Sequence, residues 1–146
     1  VSTPGAEIRV LSTEFTVLAD DAETRLGVVS GTVQFTPESP VIPLLCTAGM
    51  TVHYTSVTET VKVVSPGSSM EINGKDRSLV FNNTQLKDVA LVLSHFYNVQ
   101  VELPEGESTL TFTSSFAQKN SIEIVDIINI INLTLDTHLI IKKGSN

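Results

Sequence analysis

The sequence predicts an α+β chain with an all-β module at residues 1–66, of sandwich or β-coil type, a linker at 67–77 and a small domain at 78–146. The small domain is expected to hold two βαβ units, with two helices on a sheet. Three observations predict this. Residues 78–101 run from alternating apolar spacing (Leu79, Phe81) to helical spacing (Leu86, Val89, Ala90, Leu93, Phe96, Tyr97) and back to alternation (Val99, Val101). A related pattern follows from Thr109 to Leu135. Ahead of both lie short runs rich in β-branched residues, separated by turn formers.

In chain order, Ile8–Leu11, Glu14–Leu18, Leu26–Val29, Thr32–Phe35, Thr51–Tyr54 and Val61–Val64 read as six short strands. Asp20-Asp21, Ser30-Gly31 and Ala48-Gly49 read as turns between them. Pro37, Pro40 and Pro43 make 37–43 an irregular surface loop, because proline supplies no donor to a central strand. Ser65-Pro66-Gly67-Ser68-Ser69 is the expected joint between the modules. Beyond it, Asn83 and Thr84 are candidate caps for the first helix, and Asn98 is placed to end it in the left-handed conformation. Thr109–Thr113 alternates like a strand, Asn120-Ser121-Ile122-Glu123 fits a capping box, and Ile124–Ile131 is helical. Leu133-Thr134-Leu135 echoes the strand at Val99–Val101.

The 146 residues allow one ordinary domain or two small ones, and 41% hydrophobic against 17% charged residues is enough to build a core. A net charge of −7 argues against a phosphate backbone or an anionic membrane as partner, so no nucleic acid is expected. The lone Cys46 makes no internal disulfide and anchors no zinc site; beside Leu44 and Leu45 it reads as a small buried apolar residue. The longest apolar run, Ile122–Ile131, is interrupted by Glu123, Asp126 and Asn129 and is too short to span a bilayer. The chain reads as a soluble fragment cut from something longer, since it begins at Val1 in strand-like sequence.

Chemistry is poorly represented, and no enzyme, metal site or cofactor is expected. His53, His95 and His138 lie in separate elements with no carboxylate at metal-ligand spacing. Asp20-Asp21 and Glu105-Gly106-Glu107 read as solvated turn residues, and no serine stands in a nucleophile elbow. Asn82 and Asn132 open Asn-x-Ser/Thr triplets. The pattern points instead to a binding surface. If Ile124, Ile127, Ile128 and Ile131 face the sheet, then Ile122, Val125 and Ile130 point elsewhere; a register with Val125 in the core exposes Ile127 instead. The excess packs against the final strand or the β-module, or it meets a partner. Leu139-Ile140-Ile141, or the strand around Thr109 to Phe112, is a candidate edge for pairing with another protein, with Lys142 and Lys143 as a possible blunting device.

Ile8–Val17, then Val28-Val29-Ser30-Gly31-Thr32-Val33, then Thr47-Ala48-Gly49-Met50 resemble the second half of a FecR domain. Phe81–Val89, Phe96-Tyr97-Asn98-Val99 and Thr111–Phe116 are similar to the C-terminal domain that follows FecR in anti-sigma factors of Bacteroides-like bacteria. That domain in turn resembles the short N-terminal domain of secretins and TonB-dependent receptors. Ser12 stands where glycine is usual, Gln85 where proline is common, and the chain has no tryptophan. The resemblance implies the periplasmic region of a transmembrane regulator. Its partner would be the N-terminal signalling domain of a TonB-dependent outer-membrane transporter, and a cytoplasmic segment outside this chain would control an extracytoplasmic-function sigma factor. Partner-binding residues expected on this basis are Leu139, Ile140, Ile141, Ile122 and Ile130. The competing reading is a cell-surface glycan-binding or adhesion module. Aromatics at 5% without tryptophan disfavour it, because sugars stack on exposed rings.

Overall fold

The computed structural model describes residues 2–3, 5–117 and 123–142, with the side chains of residues 2–3 and 11–13 outside the description. The order of elements is β1 (Ser2–Thr3), β2 (Ala6–Ala19), β3 (Glu23–Pro37), β4 (Leu44–Thr47), β5 (Thr51–Thr55), β6 (Thr60–Ser65), β7 (Ser68–Asn73) and β8 (Ser78–Gln85). There follow α1 (Leu86–Phe96), β9 (Gln100–Glu102), β10 (Thr111–Ala117), α2 (Ile124–Leu135) and β11 (Ile140–Lys142). The α+β division stands, with strands first and both helices in the second half.

In the β-part, two pairs of the apolar runs are each a single long strand. Ile8–Leu11 and Glu14–Leu18 are one strand, β2, and Leu26–Val29 and Thr32–Phe35 are one strand, β3. Ser30-Gly31 is therefore no turn between strands. It lies within β3 opposite Glu14, where the register of the β2–β3 ladder shifts, and Gly31 adopts φ +81° there. Such a bulge lets a strand bend without ending. The tight turn of this hairpin is at Asp20, whose Oδ1 accepts from the backbone N–H groups of Ala22 and Glu23, both at 2.8 Å. Those two donors hold the Asp20 carboxyl below its ordinary range.

Beyond the bend, β3 changes partner. Glu23–Gly27 pairs with β5, whereas Thr32–Phe35 pairs with β4. Phe35 meets Tyr54 of β5 edge-on, ring centroids 6.4 Å apart, so the far part of β3 folds over the sheet that its near part belongs to. The 37–43 loop is not purely a surface feature, because Ile42 within it is fully buried.

No linker forms at 67–77. Pro66-Gly67 is the two-residue turn of the β6–β7 hairpin, with Gly67 at φ +78°, and Ser68–Asn73 is a strand bonded to β6 on one side and β8 on the other. Proline and glycine here close a hairpin instead of opening a joint. The core runs through the same region without a break, from Ile8 through Ile72 and Phe81 to Leu139.

The two βαβ units also interlock differently from the expectation of one small sheet. Their first strands, β8 and β10, pair with each other at the end of the long antiparallel sheet. Their second strands, β9 and β11, form a separate two-stranded sheet. Leu133-Thr134-Leu135 belongs to α2 and not to a strand; the chain leaves the helix at Asp136, φ +55°, and reaches β11 afterwards.

The helix ends explain these positions. Asn83 and Thr84 do not cap α1; Gln85 is its cap residue, with no side-chain bond. Asn83 Nδ2 instead donates to the Gly67 carbonyl at 3.0 Å, and Thr84 Oγ1 to the Ser69 carbonyl at 3.0 Å. The first free amides of α1, Leu86 and Lys87, bond to the carbonyls of Leu110 and Ser108. At the other end Asn98 is left-handed, φ +54°, and Val99 N–H donates to the Ser94 carbonyl, a Schellman closure. Arg77 completes it: its guanidinium donates to the Phe96 carbonyl at 3.0 Å and lies 4.2 Å from the Phe96 ring centroid. In α2 the capping residues are Glu123 and Asp126; the expected cap at Asn120 and Ser121 lies outside the described residues.

Candidate partner-binding surface

The titratable side chains act locally. His53 Nε2 lies 2.9 Å from Glu23 Oε1 on neighbouring strands, and His95 is exposed on α1. Glu107 accepts from the backbone N–H of His138 at 2.9 Å and lies 3.0 Å from its Nδ1. That pairing lowers the Glu107 carboxyl and raises the His138 imidazole relative to their ordinary values. Cys46 is fully buried, and burial, with the Asp88 charge nearby, pushes its thiol up to about 12. Among the described residues no three His, Cys, Asp or Glu side chains gather as a metal site. Of the eight aromatic residues, six Phe and two Tyr, none is exposed; Phe15 and Tyr97 are half-buried and the rest are in the core. No ring is fully open to a stacking sugar.

The surface with no internal use is the outer side of α2. Ile127, Ile128 and Ile131 turn into the core, which selects the first of the two registers open from the sequence. Val125 is then 54%, Ile130 38% and Leu133 86% exposed. At 100° per residue these three fall within about 140° of one another around the helix axis, with Asp126 and Asn129 between them. Val125, Ile130 and Leu133 are thus left outside the core, and Ile122 lies outside the described residues.

The connection from α2 to β11 is pinned by Asn132. Its Oδ1 accepts from Leu139 N–H and Thr137 Oγ1, each at 2.9 Å, and its Nδ2 donates to the Leu139 carbonyl at 3.0 Å. This fixes β11 beside the helix. β11 pairs with β9 on one side only, and β10 pairs with β8 on one side only, so among the described residues each ends its sheet. Lys142 Nζ, 3.0 Å from Glu102, is tied across to β9.

Of the residues expected at a partner surface, Ile130 and Ile140 are exposed, the latter at 54%. Ile141 is half-buried and packs on the core. Leu139 is a correction: it is 2% exposed, because the Asn132 bonds turn its side chain inward. Ile122 lies outside the described residues. Leu133, the most exposed of the group, escapes a sequence reading that assigns 133–135 to a strand; continuing the helical period from Ile124 by about two and a half turns, to the opposite face, would have found it.

A family model described as "FecR, C-terminal" matches residues 78–145. No curated protein sequence matches the chain. Among solved structures, two crystal structures at 1.65 and 2.50 Å of a candidate anti-sigma factor from Parabacteroides distasonis ATCC 8503 are similar to it. Each is 15% identical over 99% of this chain and 70% of the other, with a TM-score of 0.39.

Proposed function

We propose, from the match of the FecR C-terminal family model to residues 78–145, that the chain is the periplasmic sensing region of a membrane-anchored anti-sigma factor of the FecR family. In this reading it binds the N-terminal signalling domain of a TonB-dependent outer-membrane transporter and relays its substrate status to an extracytoplasmic-function sigma factor. The sigma factor itself would be met by a segment outside this chain. Residues 1–66 would act as the FecR-like β-module and 78–146 as the docking module, joined through shared strands.

The observation that carries the proposal is the conjunction of an apolar outer face on α2 with two sheet-ending strands in the same small domain. An end strand offers unpaired N–H and C=O groups to a strand of another chain, and Ile130, Leu133 and Ile140 supply apolar area beside it. No helix among the described residues is long and apolar enough to cross a membrane.

The test is amide hydrogen exchange on this chain with and without the signalling domain of the transporter encoded beside it. Protection over 111–117 or 140–142, lost in Leu133→Glu, is the expected result. Binding that protects neither strand, or no binding, rejects the reading.

A further inference from the structure

The chain contains one Asn-Gly step, Asn73-Gly74, where β7 runs into the turn that leads to β8. Every other asparagine that has a residue after it is followed by one with a side chain. The difference is chemical. A backbone nitrogen that has lost its proton attacks the side-chain amide carbon of the asparagine before it, and glycine, without Cβ, leaves that approach open and the backbone free to turn. Bond formation between Gly74 N and Asn73 Cγ expels Nδ2 as ammonia and closes a five-membered succinimide. Water then adds at either imide carbonyl and opens the ring, leaving aspartate or isoaspartate at position 73. The sum is one water taken up and one ammonia released, with no change of oxidation state.

The fold holds both reacting groups out of that geometry. Gly74 N–H donates to the Glu59 carbonyl at 2.9 Å, so the nucleophile keeps its proton. Asn73 Oδ1 accepts from Asp76 N–H at 2.9 Å and Nδ2 lies 3.4 Å from Asp76 Oδ2, so the amide is turned along the hairpin. Asn73 is also in register with Thr60 on one side and Ser78 on the other, which keeps its backbone in strand geometry. Ring closure requires all of these to yield together.

The acceptor of the Gly74 bond is itself anchored. Glu59 is left-handed, φ +54°, a conformation unfavourable for a residue with Cβ. Its carboxylate accepts from Ser39 Oγ, and the Ser39 carbonyl accepts from the Tyr54 hydroxyl at 2.9 Å. Lys75 Nζ donates to the Val57 carbonyl at 3.2 Å and ties the two turns at a second point. A Cβ at position 74 would lie 3.0 Å from Pro40 Cδ and 3.4 Å from two atoms of Glu59, so packing requires glycine and thereby keeps the step reactive.

We propose that Asn73 is a self-modification site of this protein, silent while Ser39, Glu59 and Asp76 hold the β7–β8 turn and converted to aspartate or isoaspartate when that turn opens. The product prevents return. A carboxylate at position 73 meets that of Asp76 where a donor stood, and isoaspartate lengthens the main chain of a strand paired on both sides. The turn therefore records its opening irreversibly. The site lies apart from β10 and β11, and the proposal does not depend on docking there.

The test follows conversion at position 73 in the full chain by mass spectrometry of the tryptic peptide that ends at Lys75, in the folded state and in denaturing urea. In urea, conversion is expected at position 73 ahead of every other asparagine. In the folded chain it should be at least about tenfold slower, since reaction passes through opening of a hydrogen-bonded turn. Ser39→Ala takes an anchor from Glu59; it should speed conversion of the folded chain by about threefold or more and leave the rate in urea unchanged. Deuterium exchange of the Gly74 amide should rise by the same factor, and low urea replaces Ser39→Ala as the perturbation if that variant does not fold. Equal rates in the folded and unfolded chain overturn the proposal, as does a conversion rate that does not follow exchange of the Gly74 amide. First conversion at another asparagine, or a folded Ser39→Ala chain that converts no faster than the unaltered one, overturns it too.

Discussion

Asn132 reaches seven residues along the chain and holds Leu139 by both of its backbone groups, accepting from the N–H at 2.9 Å and donating to the carbonyl at 3.0 Å. The same oxygen accepts from the hydroxyl of Thr137, a residue only 5% exposed. One amide side chain thus does for the α2–β11 connection what a regular element would do with several backbone bonds.

Replacing it leaves three polar groups near the core without partners. Asn132→Ala is expected to destabilise the chain by about 2–4 kcal/mol, because buried donors and acceptors lose their bonds together. Asn132→Asp, which keeps the acceptor and loses the donor, should cost less. Urea denaturation followed by far-ultraviolet circular dichroism checks both, and a loss under about 1 kcal/mol for the alanine variant would show that water replaces the side chain freely.

The two sides of α2 should respond oppositely to substitution. Ile131 is fully buried, so Ile131→Ala removes packed methyl groups and is expected to cost about 2–5 kcal/mol. Leu133 is 86% exposed, and Leu133→Lys should leave stability within about 0.5 kcal/mol. Thermal melts of the two variants read this directly, and a large loss at Leu133 would mean that its face is covered in the free protein.

What was legible in the sequence was local. The period of Ile127, Ile128 and Ile131, the left-handed turn at Asn98 and the burial of Cys46 each follow from a few neighbouring residues. What was not legible depends on residues far apart. Ser30-Gly31 carries the composition of a turn, yet the bulge opposite Glu14 absorbs it and β3 continues. Pro66-Gly67 reads equally well as a joint or a hairpin, and only the ladders of β7 with β6 and β8 decide it. Leu139 looks like edge material because apolar strand residues do not say which face is inward; the side chain of Asn132 determines that from the previous helix. The candidate surface was half legible for the same reason, with Ile130 and Ile140 outward and Leu139 inward.

The Glu107–His138 pair should give the loop before β11 a pH window. His138 has a raised folded pKa, so its contribution is complete below the ordinary 6.5 and is lost as pH rises through the raised value. Glu107 has a lowered folded pKa, so its contribution is complete above the ordinary 4.5 and is lost as pH falls through the lowered value. The two overlap in the mildly acidic range between those ordinary values. Titration of the His138 ring by nuclear magnetic resonance should show a pKa above that of His138 in Glu107→Gln. Equal values in the two proteins would mean that the pair does not persist in solution.

Cys46 provides a probe of opening that needs no label. Its thiol is pushed up to about 12 by burial first and the Asp88 charge second, against an ordinary 9.0. The thiolate, the form that attacks thiol reagents, is therefore about a thousandfold scarcer at pH 8 in the folded chain than in the unfolded one. Modification by a disulfide reagent should proceed through unfolding, with a rate that follows the unfolded population across a urea series. The linked effect on stability has a definite sign. A thiol raised in the folded state contributes fully below pH 9 and loses that contribution as pH rises from 9 toward 12, because only the unfolded chain gains by ionising. Relative to Cys46→Ala, the unaltered chain should lose about 1.4 kcal/mol between pH 8 and pH 10. Fast modification in the absence of urea, or parallel pH profiles for the two proteins, would mean that the strand carrying Cys46 opens independently of the rest of the sheet.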